Sequence, residues 1–360
     1  MTNRIHRRDV LRLALYALGA GALRPLTRWL PAPEFPQAER LGRNTSGGRI
    51  EVKARPDATS ATVRYLFEDE VVPWLREVVG YHPYRINQRF VDIGEGYVWA
   101  PYLQPVRNEP QKPVTELPKY GEKPGMWVEV SVPYVDLVLD NPPLRAPYWK
   151  EAPFLRLYYS QVVWVDKVKT DDQGRVWYHI VERYGSYGDM FWARAEGFRP
   201  LTPEDITPIS PEVEDKRIVA DVTYQTLRCY EGNTEVYFCR VSTGAKYDAQ
   251  GRPVDTWATP VGTFPIWRKL ISLHMSGGTT GGGWDVPGVP WVSLFVGSGV
   301  AIHGTYWHNN FGVPMSNGCI NALPEDARWI FRWTHPTVSY DPGDLTIPMP
   351  GGTRVQVIES

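Results

Sequence analysis

Short apolar runs that alternate with polar residues, broken every few positions by proline or glycine, set the first limit on this fold. Ile50–Lys53, Thr62–Leu66 and residues 71–79, 89–93 and 96–99 recur at short, fairly even spacing, as strands of a small barrel do. The 33 prolines, 15 tryptophans and 20 tyrosines suit loop-rich β units and surfaces that stack on sugars or peptides, not a helical bundle. A length of 360 residues suggests two or three domains. A net charge of −1 supplies no basic field for nucleic acid.

Residues 1–30 read as an export signal. Arg7 and Arg8 resemble a twin-arginine motif, and the apolar run 13–23 is too short to span a bilayer as a mature helix. The expected location is the cell envelope or cell wall, with the N-terminal segment a membrane anchor if it is not cleaved. Residues 31–48 read as a linker and 49–107 as a first β unit. Residues 108–201 read as a second copy: 162–168 match 71–79, 190–193 match 97–100, and 198–201 close the unit as 103–106 close the first. Residues 202–216 form another linker, and 217–360 the last domain.

That domain opens on a hairpin around Gly232 and Asn233. A two-residue turn there pairs 229 with 236, which places Cys229 and Cys239 on opposite faces and forbids a disulfide. No cysteine–histidine spacing suits zinc, and no metal or cofactor is expected. The glycine-rich residues 276–284 lack a phosphate-loop ending and read as a flap, with Met275 at its base.

Residues 302–321, I-H-G-T-Y-W-H-N-N-F-G-V-P-M-S-N-G-C-I-N, concentrate the chemistry. A free thiol has a pKa of about 8.5 and needs a base to act near neutral pH. His303 supplies a candidate base for Cys319, with His308 a competitor. Gly318 permits a sharp turn whose N–H groups converge on one point, where an oxyanion would form.

H-G at 303–304 and S-N-G-C-I-N at 316–321 resemble the signature of the L,D-transpeptidases, the YkuD-type catalytic domain. The flanks agree: T-P-V-G-T-F at 259–264, W-H-x-x-F-G at 307–312 and E-D-A-x-W at 325–329. The resemblance covers about residues 217–359. Residues 49–107, with Arg55-Pro56, G-Y-V and L-x-P-V, resemble a bacterial SH3-like domain. The implied fold is mainly β: a YkuD-type sandwich or barrel with one or two short helices, preceded by small SH3-like barrel units.

The resemblance implies an exported cysteine acyltransferase that cross-links peptidoglycan stem peptides and releases D-Ala. Cys319 would be the nucleophile, His303 the base and Gly304 its orienting carbonyl. Backbone N–H groups of Asn317, Gly318 and Cys319 would form the oxyanion hole. Trp307, Ser316, Asn321 and Met275 would line the substrate pocket, and carbapenem-type inhibitors would acylate the thiol. One position departs from the family, which usually carries His or Arg where Asn317 stands. The alternatives are an L,D-carboxypeptidase or other thiol hydrolase, and a non-catalytic wall-binding scaffold.

Overall fold

The computed structural model describes residues 34–247, 252–277 and 284–360. The expected export signal and the centre of the glycine-rich flap, 278–283, lie outside these. Among the described residues no helix is long and apolar enough to cross a membrane.

The first unit holds β1 (Leu41–Asn44), β2 (Ile50–Lys53), β3 (Thr62–Leu66), β4 (Val71–Pro73), β5 (Arg76–Val79), β6 (Arg89–Asp92), β7 (Tyr97–Trp99) and β8 (Leu103–Val106). They form two sheets, ordered β4-β1-β8 and β3-β2-β7-β6-β5. The linker expected over 31–48 thus contains a strand. All four residues of β1 are buried, including Arg43 and Asn44. A strand covered on both faces shows no alternation, so its pattern carried no strand signal.

The second unit holds β9 (Met126–Val130), β10 (Tyr134–Leu139), α1 (Pro147–Glu151), β11 (Arg156–Tyr158), β12 (Val162–Thr170), β13 (Val176–Val181), β14 (Met190–Arg194) and β15 (Phe198–Pro200). The sheet order is β11-β10-β14-β13-β12-β9-β15. Laid over the first unit in chain order, with β12 replacing both β4 and β5, every neighbour is the same. In the first unit Trp74 and Leu75 break the long strand in two. In the second it runs on through an irregularity between Val165 and Lys167. A 3-10 turn precedes the last strand in each, Ala100–Tyr102 and Ala195–Gly197.

The third unit holds β16 (Lys216–Asp221), β17 (Thr226–Glu231), β18 (Thr234–Arg240), β19 (Gly262–Pro265), β20 (Arg268–Gly277), β21 (Trp284–Leu294), β22 (Ala301–Gly304), β23 (Ile320–Ala322), α2 (Pro324–Trp333), β24 (Asp344–Thr346) and β25 (Arg354–Ile358). Two five-stranded sheets result, β18-β17-β16-β25-β19 and β23-β22-β21-β20-β24. Pro324 starts α2 with Glu325 and Asp326 in its first turn, a favourable arrangement of proline and acids at a helix N-terminus. Ala327, Ile330 and Phe331 bury its inner face.

The hairpin register differs from expectation. A shift between Cys229 and Tyr230 sets Cys229 opposite Tyr237 and Cys239 opposite Leu227. The shift moves both cysteines to one face, where they pack in the core diagonally rather than directly opposite. Both remain free thiols.

The first unit closes its own core around Val52, Leu66, Trp74, Val91 and Leu103. The second and third units share one: Trp127, Val162, Trp164 and Leu201 pack in the same cluster as Ile218, Ile271, Trp291, Ile302 and Phe331.

Candidate active site

Strands β22 and β23 pair in parallel, with His303 opposite Asn321. Side chains two residues apart share a face of an extended chain. Cys319, two residues before Asn321, therefore emerges on the side of His303. The side chains of Cys319 and His303 line one cavity of about 130 Å³ with Met275, Trp307, Ser316, Asn317 and Asn321. Val286 and Met315, which the motifs did not flag, complete its wall. A larger cleft of about 630 Å³ lies elsewhere, between the first and third units, and includes neither the thiol nor His303.

His303 is buried, and its Nδ1 lies 3.0 Å from the carbonyl oxygen of Gly304. That contact requires the proton on Nδ1, so Nε2 is the basic nitrogen. A side chain at 304 would come within 2.8 Å of Pro290 Cγ, so glycine lets β22 approach β21 here. Burial lowers the His303 pKa to about 4, against the pull of the Gly304 bond. Burial also pushes the Cys319 thiol up to about 11, partly offset by a backbone hydrogen bond from Ala301. Cys319 is nonetheless partly exposed as a residue and lines the cavity. At neutral pH both groups are uncharged.

The loop carrying the thiol is held from behind. Gly318 sits at φ +122°, a conformation that disfavours a side chain. Its carbonyl accepts the Thr259 hydroxyl at 2.8 Å, and Thr259 Oγ1 accepts the Gly244 N–H at 2.8 Å. The Ser316 hydroxyl donates to Cys319 O at 2.5 Å and accepts the Gly318 N–H at 3.1 Å. Ser316 therefore lines the cavity but uses its hydroxyl inside the loop. With the Gly318 amide engaged, the amides of Asn317 and Cys319 remain of the three expected at the oxyanion. Thr259 lies in the T-P-V-G-T-F motif but had drawn no role, because its partners are main-chain atoms that sequence does not display.

His308 is no rival base. Its Nδ1 accepts the Asn310 N–H at 3.2 Å, which leaves its proton on Nε2; that proton bonds the Asn321 side-chain amide, 3.0 Å away, when the amide turns its otherwise unpartnered Oδ1 to the ring. Both ring nitrogens are occupied, and the ring borders the larger cleft rather than the thiol cavity. Among the described residues no cluster of three or more side chains suited to a metal occurs.

Several solved structures resemble this chain. An L,D-transpeptidase from Enterococcus faecium, a cysteine-to-serine mutant, is 23% identical over 41% of this chain and 51% of that one, with a TM-score of 0.31. One from Xylanimonas cellulosilytica is 25% identical over 45% and 65%, with a TM-score of 0.28. One from Mycobacterium smegmatis is 18% identical over 53% and 98%, with a TM-score of 0.31. The chain thus spans about half the length of the Enterococcus faecium protein. No curated protein matches it. The family model described as the L,D-transpeptidase catalytic domain, YkuD, matches residues 215–357, so the third unit of this chain is a YkuD-type L,D-transpeptidase catalytic domain.

Proposed function

We propose that this protein is an exported cysteine acyltransferase that cross-links peptidoglycan stem peptides. The observation that carries the reading is the parallel pairing of β22 and β23. It sets a buried imidazole, its tautomer fixed by Gly304, on the same face as a thiol that lines the cavity.

Cys319 attacks the carbonyl before the terminal D-Ala of a tetrapeptide stem. His303 Nε2 takes the thiol proton as the C–S bond forms and gives it to the departing D-Ala nitrogen. The amides of Asn317 and Cys319 stabilise the oxyanion of the tetrahedral intermediate. A second amine then resolves the thioester, and water in its place gives the carboxypeptidase product. The matching strand order of the first two units supports a duplicated SH3-like pair that presents the catalytic domain to the wall. The paired arginines at the N-terminus support export in a folded, reduced state.

Purified protein given disaccharide tetrapeptides is expected to release D-Ala and gain the acyl mass at Cys319. A carbapenem is expected to add its mass to the same residue. No adduct with either, under conditions where the chain is folded, overturns the enzyme reading and leaves a wall-binding scaffold.

A further inference from the structure

A second depression, of about 170 Å³, adjoins the thiol cavity and shares Val286 and Trp307 with it. Three units build it. Arg43, Thr45 and Asp69 come from the first, Tyr148 and Tyr158 from the second, and Tyr306 from the third. Its floor is fixed. Arg43 is buried, with Nη1 donating to Asp69 Oδ1 at 2.7 Å and Nη2 to the Tyr306 carbonyl at 3.2 Å. The guanidinium lies 3.9 Å from the Tyr158 ring centre, and the Tyr158 hydroxyl donates to Asp69 Oδ2 at 3.1 Å. Such a surface loses little freedom when a ligand settles on it.

The side of the thiol from which the acceptor amine must approach follows from proton bookkeeping. His303 must protonate the leaving amine and later accept a proton from the incoming one. By microscopic reversibility both amines occupy the His303 side. Trp307, whose ring centre is 5.7 Å from that of His303, is the partition between the two depressions.

Resting on the function proposed above, we propose that this depression is the acyl-acceptor subsite, holding an amine-bearing peptide while its amine meets the Cys319 thioester. The amine nitrogen bonds to the acyl carbon, and the C–S bond breaks. The surplus ammonium proton passes through His303 Nε2 to the sulfur. Tyrosine and tryptophan walls suit the apolar part of a peptide. The Glu68 carboxylate at the rim favours an ammonium over a carboxylate in the approaching chain. The N-terminal units would then select the acceptor, not merely carry the enzyme to the wall.

The test uses the full chain, acylated by a tetrapeptide-stem donor and offered a tripeptide with a side-chain primary amine. Mass spectrometry reads the ratio of transfer product to hydrolysis product from the same acyl-enzyme. Thr45→Trp places bulk at the half-buried rim and is expected to lower that ratio tenfold or more. Glu68→Lys reverses the charge at the rim and is expected to lower it at least threefold. Ratios within twofold of wild type in both variants overturn the proposal. So does slowed acylation with an unchanged ratio, which would assign the depression to the donor. A wild-type chain that forms no acyl-enzyme instead overturns the function itself, so the two failures are distinct.

Discussion

Burial holds His303 and Cys319 in one charge state, neutral, rather than as a thiolate–imidazolium pair. With the thiol near 11, about one part in 10,000 is thiolate at pH 7. Alkylation by iodoacetamide tests this, because Cys229 and Cys239 are sealed in the core. The rate at Cys319 is expected to rise close to tenfold per pH unit from 7 to 10; a flat profile would mean a preformed ion pair. The sign for the base is opposite. Burial disfavours imidazolium, so Nε2 stays available as pH falls, and kcat/KM should decline only through about pH 4 instead of 6.5. Cys319 and His303 were legible in sequence because nucleophile, base and glycine turn fall within twenty residues. Thr259, Tyr306 and Arg43 were not. They act through main-chain atoms or across units, and no local pattern marks such contacts.

At the scale of elements, helix α2 shows how far propensity reaches. Its start was readable from Pro324 and the acids that follow. Its end was not, because the groups that satisfy it come from distant strands. Lys269, fully buried on β20, donates to the carbonyls of Phe331 at 2.6 Å, Thr334 at 2.8 Å and Pro336 at 2.7 Å. Lys216 on β16 donates to Trp333 O at 2.8 Å and Ile209 O at 2.9 Å. The last carbonyls of a helix lack intrahelical partners and carry the negative end of its dipole, which favours an ammonium there, while burial lowers the pKa of both lysines and works against it. Lys269→Met keeps most of the volume but strands three buried acceptors. It is expected to destabilise by roughly 3 kcal/mol or more, measured by urea unfolding. A change below about 1 kcal/mol would mean that burial of the lysine offsets its bonds. Strands β9 and β10 were missed for a related reason. Met126, Trp127, Val128, Val130, Val135 and Leu137 are buried in a sheet whose neighbours are far along the chain. For these two strands it is the strand order, not residue similarity, that matches the first unit.

For the whole molecule, the boundaries that matter are those of the cores, and these do not coincide with the sequence segments. The first unit packs its own core, so residues 108–360 should fold without it. The second and third units cannot be cut apart so freely. Trp127 is buried in their common cluster, its Nε1 donates to Tyr340 O at 2.9 Å, and the Tyr340 hydroxyl donates to Leu201 O at 2.7 Å. Removing the second unit exposes that surface, and loss of one buried tryptophan alone costs about 3–5 kcal/mol, a large part of a domain's stability. Residues 217–360 alone are therefore expected to lack a cooperative thermal transition. The longer fragment should melt cooperatively yet work poorly. The loop 306–310 that leads away from Trp307 is held by the first unit: Arg43 on Tyr306 O, Arg89 Nη2 on Asn309 O at 3.0 Å, and the Asn309 N–H on Pro101 O at 3.3 Å. Freed of these, Trp307 loses its fixed place beside His303, and carbapenem acylation of residues 108–360 should slow at least tenfold. The opposite order, a stable 217–360 with full acylation, would mean that the catalytic fold positions its own base and that the N-terminal units only decorate it.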